Sequence, residues 1–514
     1  MRSSFTATSN FPASGSAEEI LRFKSLQAGF SKQFQEVFPD MHANKTIVIV
    51  PSLTMDQEIL QKINGHVFYE ERLLCLLMLL RMPRTKVIYV TSVPVDPVTV
   101  DYYLHLLPGI SGFHARQRLT MLSCYDASAS SLTEKLLQRP RLLQRIRNLV
   151  TEKDKAHLIC FNTTAAERSL AVQLDMPLFG CDPDLLNWGS KSGSRKIFRA
   201  IDIPLPDGVE DIYTRHDLIS ALVSLKIKYP AAKKVVVKLN DGFSGDGNAL
   251  FYYPANDDHK NLHTQIADNL LINLRCIAKD ISAIFFIEKL EQMGGIVEVF
   301  VDGEEKTSPS VQCRIEPTGT IKVLSTHDQL LGGADSQVYL GAYFPADAAY
   351  QNEIAAMGEV IGKALAAKGV LGRFGVDFIS VKQGDKWLHY AIEINLRKGG
   401  TTHPLLMLEF LTDGEYKVNE AAYITATGNK RYYFTSDNLC KDTYKGLTPQ
   451  DLIDIIMYHG LLYDGTTQEG VTFHLMGATS QFGKLGVVCI GSTPQRAYTF
   501  YEKVTTVLEL ECGE

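Results

Sequence analysis

Along residues 46–185 the chain alternates short β-branched runs with longer helical patterns: KTIVIVP, then YEERLLCLLMLLRMP, then KVIYVTS, and later AHLICFN and MPLFG. Apolar strands of this length separated by helices predict βαβ units around a parallel sheet, hence an N-terminal doubly wound domain. Near residue 186 the texture changes to NWGSKSGSRKIFRAIDIPLPDGVEDIY, which predicts a Gly/Ser-rich loop, a helix and a proline-marked exit. Then come KKVVVKLNDGFSGDGNALFYY, the apolar stretch AIFFIEKLEQ, which reads as a strand breaking into charge at Glu288 and Lys289, and the strand-rich SPSVQCRIEPTGTIKVLST. QNEIAAMGEVIGKALAAKG predicts a helix, and from about 431 a small α/β segment includes GVTFHLM and KLGVVCIGS.

The stretch GRFGVDFISVKQGDKWLHYAIEINLRKGG, residues 372–400, predicts two strands joined by a tight turn. Strand side chains alternate between faces. In LHYAIEINLR the apolar Leu388, Tyr390, Ile392 and Ile394 hold the even positions, and Glu393, Asn395 and Arg397 the odd ones. With Asp385 at the centre of the turn, Asp377 stands directly opposite Glu393. Like charges so placed destabilise a sheet unless something compensates, and a bound cation is the natural compensation. Separate ion pairs to Arg373 and Arg397 would explain the two acids alone. Two carboxylates and a carboxamide oxygen make a hard donor set that selects Mg2+ or Mn2+ over zinc. Because Mg2+ commonly completes its octahedron with water and nucleotide phosphates, the hairpin points to a nucleotide.

Composition narrows the class without adding chemistry. A length of 514 residues predicts two to four domains, and 45% hydrophobic with 21% charged residues is ordinary globular usage. The longest apolar run, residues 73–80 between Arg72 and Arg81, falls short of the roughly 20 residues that span a bilayer and predicts a buried helix. A net charge of -6 removes the whole-chain argument for nucleic acid and leaves room for a local basic cleft around a small anion. Arg139, Arg141, Arg145 and Arg147 read as a solvated helix face. Nine cysteines without CxxC spacing argue against a zinc site or a disulfide framework and suit a reducing cytoplasm. The first 18 residues lack an apolar signal core and read as a disordered tail.

In KKVVVKLNDGFSGDGN, Lys234, Val236 and Lys238 alternate with apolar neighbours ahead of Gly242, Gly245 and Gly247. Such glycines let backbone N–H groups approach phosphate oxygens beside a lysine, although a plain hairpin turn reads the same way. Neither the Rossmann nor the Walker A fingerprint is present.

In order, the lysine of GSKSGSRKIF followed by IPLPDG, the lysine of VVVKL, the stretch FIEKL and GVDF with EINLRKGG resemble the ATP-grasp superfamily. PSLTMDQEILQKINGHVFYEERLLCLLMLLRMP, VTVDYYLHLLPG and GVTFHLM with FGKLGVVCIG look like the peptide ligases of the pheganomycin type, over about residues 46–505. The resemblance implies an α/β chain. A tail and helix (1–45) precede a doubly wound pre-ATP-grasp domain (46–185), a two-subdomain ATP-grasp fold (186–430) and a small C-terminal α/β segment (431–514). It implies a ligase that joins a carboxylate to an amine, on amino acids or peptides, through an acyl phosphate. ATP and Mg2+ or Mn2+ would be its cofactors, with no nucleic-acid or membrane partner, and a homodimer is compatible with it.

Carried over by position, Lys191 and Lys238 contact phosphates, and Gly242, Ser244, Gly245 and Gly247 belong to a closing loop. Glu288, Lys289 and Leu290 match the hinge that receives adenine, with Glu291 as ribose partner. Asp377, Glu393 and Asn395 match the metal ligands, and Arg397 the arginine that steadies the transferring phosphate. Because GSK stands where many members have Asp-Lys, Lys196 competes with Lys191. Arg314 and Gln329 are candidates to face the acceptor pocket, with Arg314 gripping a substrate carboxylate, while His403 packs a loop. A kinase or thioester-forming enzyme on the same fold, and a nucleotide-binding regulatory protein, are the alternatives.

Overall fold

The computed structural model describes residues 11–55, 57–242, 247–254, 261–278, 281–332 and 338–513. Residues 1–10 of the tail, and Ser244 and Gly245 of the glycine loop, lie outside them.

Strands β1 (Lys45–Val50), β2 (Thr85–Thr91), β3 (Leu119–Ser123) and β4 (Ala156–Cys160) form a parallel sheet in the order β3-β2-β1-β4. β1 is buried along its whole length, as a parallel strand covered on both faces must be. The apolar run 73–80 lies in the buried helical segment His66–Arg81, wound as 3-10 rather than α, which packs into the same core as β1 and β2. MPLFG contributes one parallel bridge, Leu158 to Leu178, rather than a strand.

Two antiparallel sheets follow. β5 (Gly208–Ile212), β6 (Lys234–Leu239), β7 (Asn248–Tyr252), β8 (Leu274–Cys276) and β9 (Gly295–Val299) make a five-stranded sheet in the order β5-β9-β6-β7-β8. β10 (Lys306–Thr307), β11 (Pro309–Ile315), β12 (Ile321–Gly332), β13 (Val338–Phe344), β14 (Gly372–Gln383) and β15 (Lys386–Asn395) begin a nine-stranded sheet. A ribbon of β16 (Glu415–Lys417) and β17 (Ala422–Ile424) intervenes before β18 (Tyr432–Cys440), β19 (Gly470–His474) and β20 (Lys484–Gly491) complete it. Its order is β10-β14-β11-β12-β13-β18-β20-β19, with β15 paired to β14. The chain beyond residue 431 thus continues the sheet, through hydrogen bonds from β18 to β13. Among the described residues no helix is long and apolar enough to cross a membrane.

AIFFIEKLEQ is not a strand. It lies in the helix Ala283–Met293, capped by Ser282, whose hydroxyl accepts from the Phe285 N–H. Phe286, Ile287 and Leu290 are the buried positions, one helical face rather than alternate residues. A short apolar run does not separate strand from helix by periodicity, and the cap decided it here.

The hairpin has the expected pairing, with Gly384 and Asp385 in the turn, Gly384 at φ +60, and Asp377 opposite Glu393. Its face alternation holds only near the acids. Between Asp377 and Phe378 the register slips, so that Ile392 is an extra residue. Beyond it the phase inverts: His389 and Ala391 are buried while Leu388 is exposed. A bulge adds one residue to one strand and reverses every side chain past it.

Candidate active site

Between the five-stranded and nine-stranded sheets lies a cavity of about 870 Å3. β6 and β9 supply Val236, Lys238, Leu239, Glu298 and Val299 to its wall, and the described ends of the glycine loop supply Gly242 and Gly247. The loop ends meet closely, since a Cβ on Gly242 would stand 3.1 Å from the Gly247 Cα. Lys238 pairs with Glu298 at 2.5 Å, and Arg195 meets the same carboxylate at 3.2 Å.

Lys191 begins the helix Lys191–Ala200, where the Ser190 hydroxyl accepts from the Gly193 N–H at 3.0 Å. Asn240, just past β6, pins that helix start: its carbonyl accepts from the Lys191 N–H at 3.2 Å and its Oδ1 from the Ser192 N–H at 2.9 Å. The Lys191 ammonium is paired with Glu393. Burial, and then the charge of Lys238, brings Lys191 down to about 8. Lys196 is half exposed, bound to Asp211 at 2.6 Å and absent from the cavity wall.

Asp377, Glu393 and Asn395 converge on the cavity floor. The Asn395 amide donates to Asp377 at 2.9 Å and to Glu393 at 3.1 Å, and Gln329 donates to Asp377 at 2.7 Å. Burial pushes the Asp377 carboxyl up, opposed by Lys191, Gln329 and Arg397. Arg397 also faces the cavity, lowered by burial, and donates to the Lys398 carbonyl at 3.1 Å. Two carboxylates and a carboxamide on one patch are the hard donors that a Mg2+ or Mn2+ ion takes, so the residues present fit such an ion. Beside them stand the cations that charged phosphates require.

Another part of the cavity wall comes from distant parts of the chain: Tyr69 and Arg72 from the segment 66–81, Phe161 after β4, Tyr339 on β13, Asp437 and Asn438 on β18, and Lys484 on β20. Sequence reasoning noted Arg72 only as the flank of an apolar run and passed over Asp437 and Lys484. No local motif marks them, because their meeting depends on sheet order.

Two expectations fail. Glu288, Lys289, Leu290 and Glu291 are absent from the cavity wall: Leu290 is packed in the core of the five-stranded domain, and Glu291 accepts from the Arg215 N–H at 3.2 Å. The strand end that does reach the cavity is Glu298–Val301. Arg314 also lies off the cavity wall, bound to Glu316 at 2.9 Å: it shares a face with Ser310 and Gln312, which line the cavity, but stands further along β11, opposite Arg373. Gln329 lines the cavity, and His403 is buried against His474 with its Nδ1 on the Arg72 carbonyl at 2.9 Å, as a packing histidine would be.

Residues 185–267 and 282–419 match a family model described as IQCH-like, ATP-grasp, and residues 451–504 match one described as PGM1 C-terminal domain. The first match spans most of the strands of the two sheets that wall the cavity, and the second lies in the C-terminal segment. Among curated proteins it is 29% identical over 462 residues to L-propargylglycine--L-glutamate ligase of Streptantibioticus cattleyicolor, covering 88% of this chain and 92% of that one. It is 25% identical over 381 residues to IQ motif-containing protein H of Danio rerio, covering 66% of this chain and 36% of that longer protein. Two solved structures share the fold. The biotin carboxylase β,γ-ATP complex from Campylobacter jejuni has TM-score 0.53 at 14% identity, over 88% of this chain and 89% of that one. N5-carboxyaminoimidazole synthase from Aspergillus clavatus, complexed with ADP and its ribonucleotide, has TM-score 0.51 at 13% identity, over 92% and 100%.

Proposed function

We propose that this protein is an ATP-dependent ligase that joins the carboxylate of one amino acid or peptide to the amine of another, releasing ADP and phosphate. The observation that carries the reading is the in-register Asp377 and Glu393 pair with Asn395 and Arg397, set in one cavity with Lys191 and Lys238. The relative named as an amino acid ligase, matched along nearly its whole length, supports it.

In this reading Lys191 and Lys238 bind the phosphates beside the loop ends Gly242 and Gly247. Adenine lies against Val236, Leu239 and the strand end Glu298–Val301. Asp377, Glu393 and Asn395 hold a divalent cation, which supplies charge neutralisation on the phosphates when bound. Arg397 stabilises the charge that spreads over the γ-phosphoryl oxygens during transfer. A substrate carboxylate oxygen attacks the γ-phosphorus, the bond to the β,γ-bridging oxygen breaks, and ADP leaves. The amine nitrogen then attacks the acyl carbon, loses a proton, and phosphate departs with the acyl oxygen. Exclusion of water from the occupied cavity would protect the acyl phosphate from hydrolysis. The nine cysteines are free thiols, which suits a reducing compartment, and we assign the protein to the cytoplasm.

The test is ADP release with Mg2+, ATP and pooled amino acids and short peptides, with mass spectrometry of the products. New amide masses that appear with ADP are expected. Glu393→Gln should lower turnover at least about 100-fold while the circular dichroism spectrum stays that of the parent. ATP binding without ADP release from any pool, or full activity in Glu393→Gln, would overturn the reading.

A further inference from the structure

The part of the cavity wall built by Tyr69, Arg72, Asp437 and Lys484 has a charge pattern that the proposed phosphoryl transfer does not use. Arg72 is about nine-tenths buried, lines the cavity, and is ion-paired through Nη2 to Asp437, which stands 365 residues away in sequence. A guanidinium has five donor hydrogens, and the buried Nε of Arg72 has no partner, so Asp437 does not exhaust it. The Arg72 guanidinium lies over the Tyr69 ring at 4.0 Å, and the Lys484 ammonium donates to the Tyr69 hydroxyl at 2.5 Å. Tyr69 thus holds both cations at one place. Arg397 is near enough to feel the charge of Arg72. Three cations therefore meet two carboxylates, Asp437 beside Arg72 and Asp377 beside Arg397, an excess of one that favours an anionic ligand group.

The carboxylate that becomes the acyl phosphate has to sit beside Arg397 and the acid cluster. A second anionic group, held at Arg72 and Lys484, is then one that does not react. We propose that Arg72 and Lys484 bind the α-carboxylate of the amino acid that supplies the amine, so that the enzyme builds products ending in a free carboxylate. This rests on the ligase reading and adds a specificity rule to it. Asp437 fixes the guanidinium in place and acts as a positioning residue.

A competition experiment tests the rule. The enzyme receives Mg2+, ATP, the twenty common amino acids and, in equal amounts, their α-carboxamides, which can serve only as amines at their α-position. Mass spectrometry then compares products ending in carboxylate with those ending in carboxamide. The parent enzyme should favour the free carboxylate by about 10-fold or more, the scale of a charge-assisted hydrogen bond. Lys484→Met and Arg72→Met should each bring that ratio toward one. Lys484 is partly exposed, so its variant keeps the test valid if loss of the buried Arg72 impairs folding. ADP and amide products with a parent ratio near one, or a ratio unchanged in the Lys484 variant, would overturn this site and leave the ligase intact. Absence of ADP and of every product would count against the ligase reading itself, and this inference with it.

Discussion

Lys238 and Glu298 show how single residues in this cavity carry two duties at once. Both are almost fully buried and each is the other's near neighbour, with Arg195 as second cation to the glutamate. Replacing Lys238 with methionine removes a charge proposed to bind phosphate and leaves Glu298 to Arg195 alone. The expected result is a KM for ATP raised 10-fold or more, with a stability loss of about 1 to 3 kcal/mol, the range for a buried polar group that loses a partner. ATP titration of turnover, beside thermal unfolding, separates the two effects. At this scale the sequence was readable where chemistry is local. Asp377, Glu393, Asn395 and Arg397 announce themselves through spacing on one hairpin, and Lys238 through its place before a glycine loop. Arg72, Asp437 and Lys484 do not, since each sits in an ordinary apolar or strand context and acquires meaning only from partners hundreds of residues away.

The helical segment His66–Arg81 is the element that ties this cavity to the N-terminal domain, and it contains two buried acids beside Arg72. Burial raises Glu70 and Glu71 from an ordinary 4.5 to about 7. Glu70 accepts from the Ser92 N–H and hydroxyl, and Glu71 from the Gly477 N–H at 3.2 Å. The folded chain thus keeps protons that the unfolded chain gives up between about pH 4.5 and 7. Their contribution to stability falls as pH rises through that window and stays low above it. Glu71→Gln keeps the acceptor for Gly477 without the charge, so its Tm should exceed that of the parent by about 2 to 4 °C at pH 8, with a smaller gain at pH 5, in paired thermal scans. Among the described residues the nine-stranded sheet has four register breaks, at Gln312/Cys313, Leu330/Leu331, Asp377/Phe378 and Ser436/Leu439. Each contributes a residue to the cavity wall. Strand alternation is visible in sequence and sets the hairpin acids opposite one another, but how far along a strand the cavity reaches is not, and Arg314 lies beyond it on the same face as Gln312.

On the scale of the whole molecule, the alternation of strand and helix made the parallel N-terminal sheet legible, but pairing between distant strands was hidden. β18 hydrogen-bonds to β13 across the boundary expected near 431, so a chain ending at residue 430 would expose β13 as an open sheet edge. Such a truncation should aggregate or unfold below 37 °C, whereas the full chain stays monodisperse, and light scattering on both decides it. A ribosome delivers the parts of this cavity in a fixed sequence. Lys191, Lys238 and the acid hairpin emerge first, and Lys484 follows on β20. A nascent chain stalled between them would carry Lys191, Lys238, Asp377 and Glu393 but lack the part of the cavity wall that β20 supplies. Because β20 pairs with both β18 and β19 and also carries Lys484, the nine-stranded sheet and this part of the cavity wall are completed by the same strand.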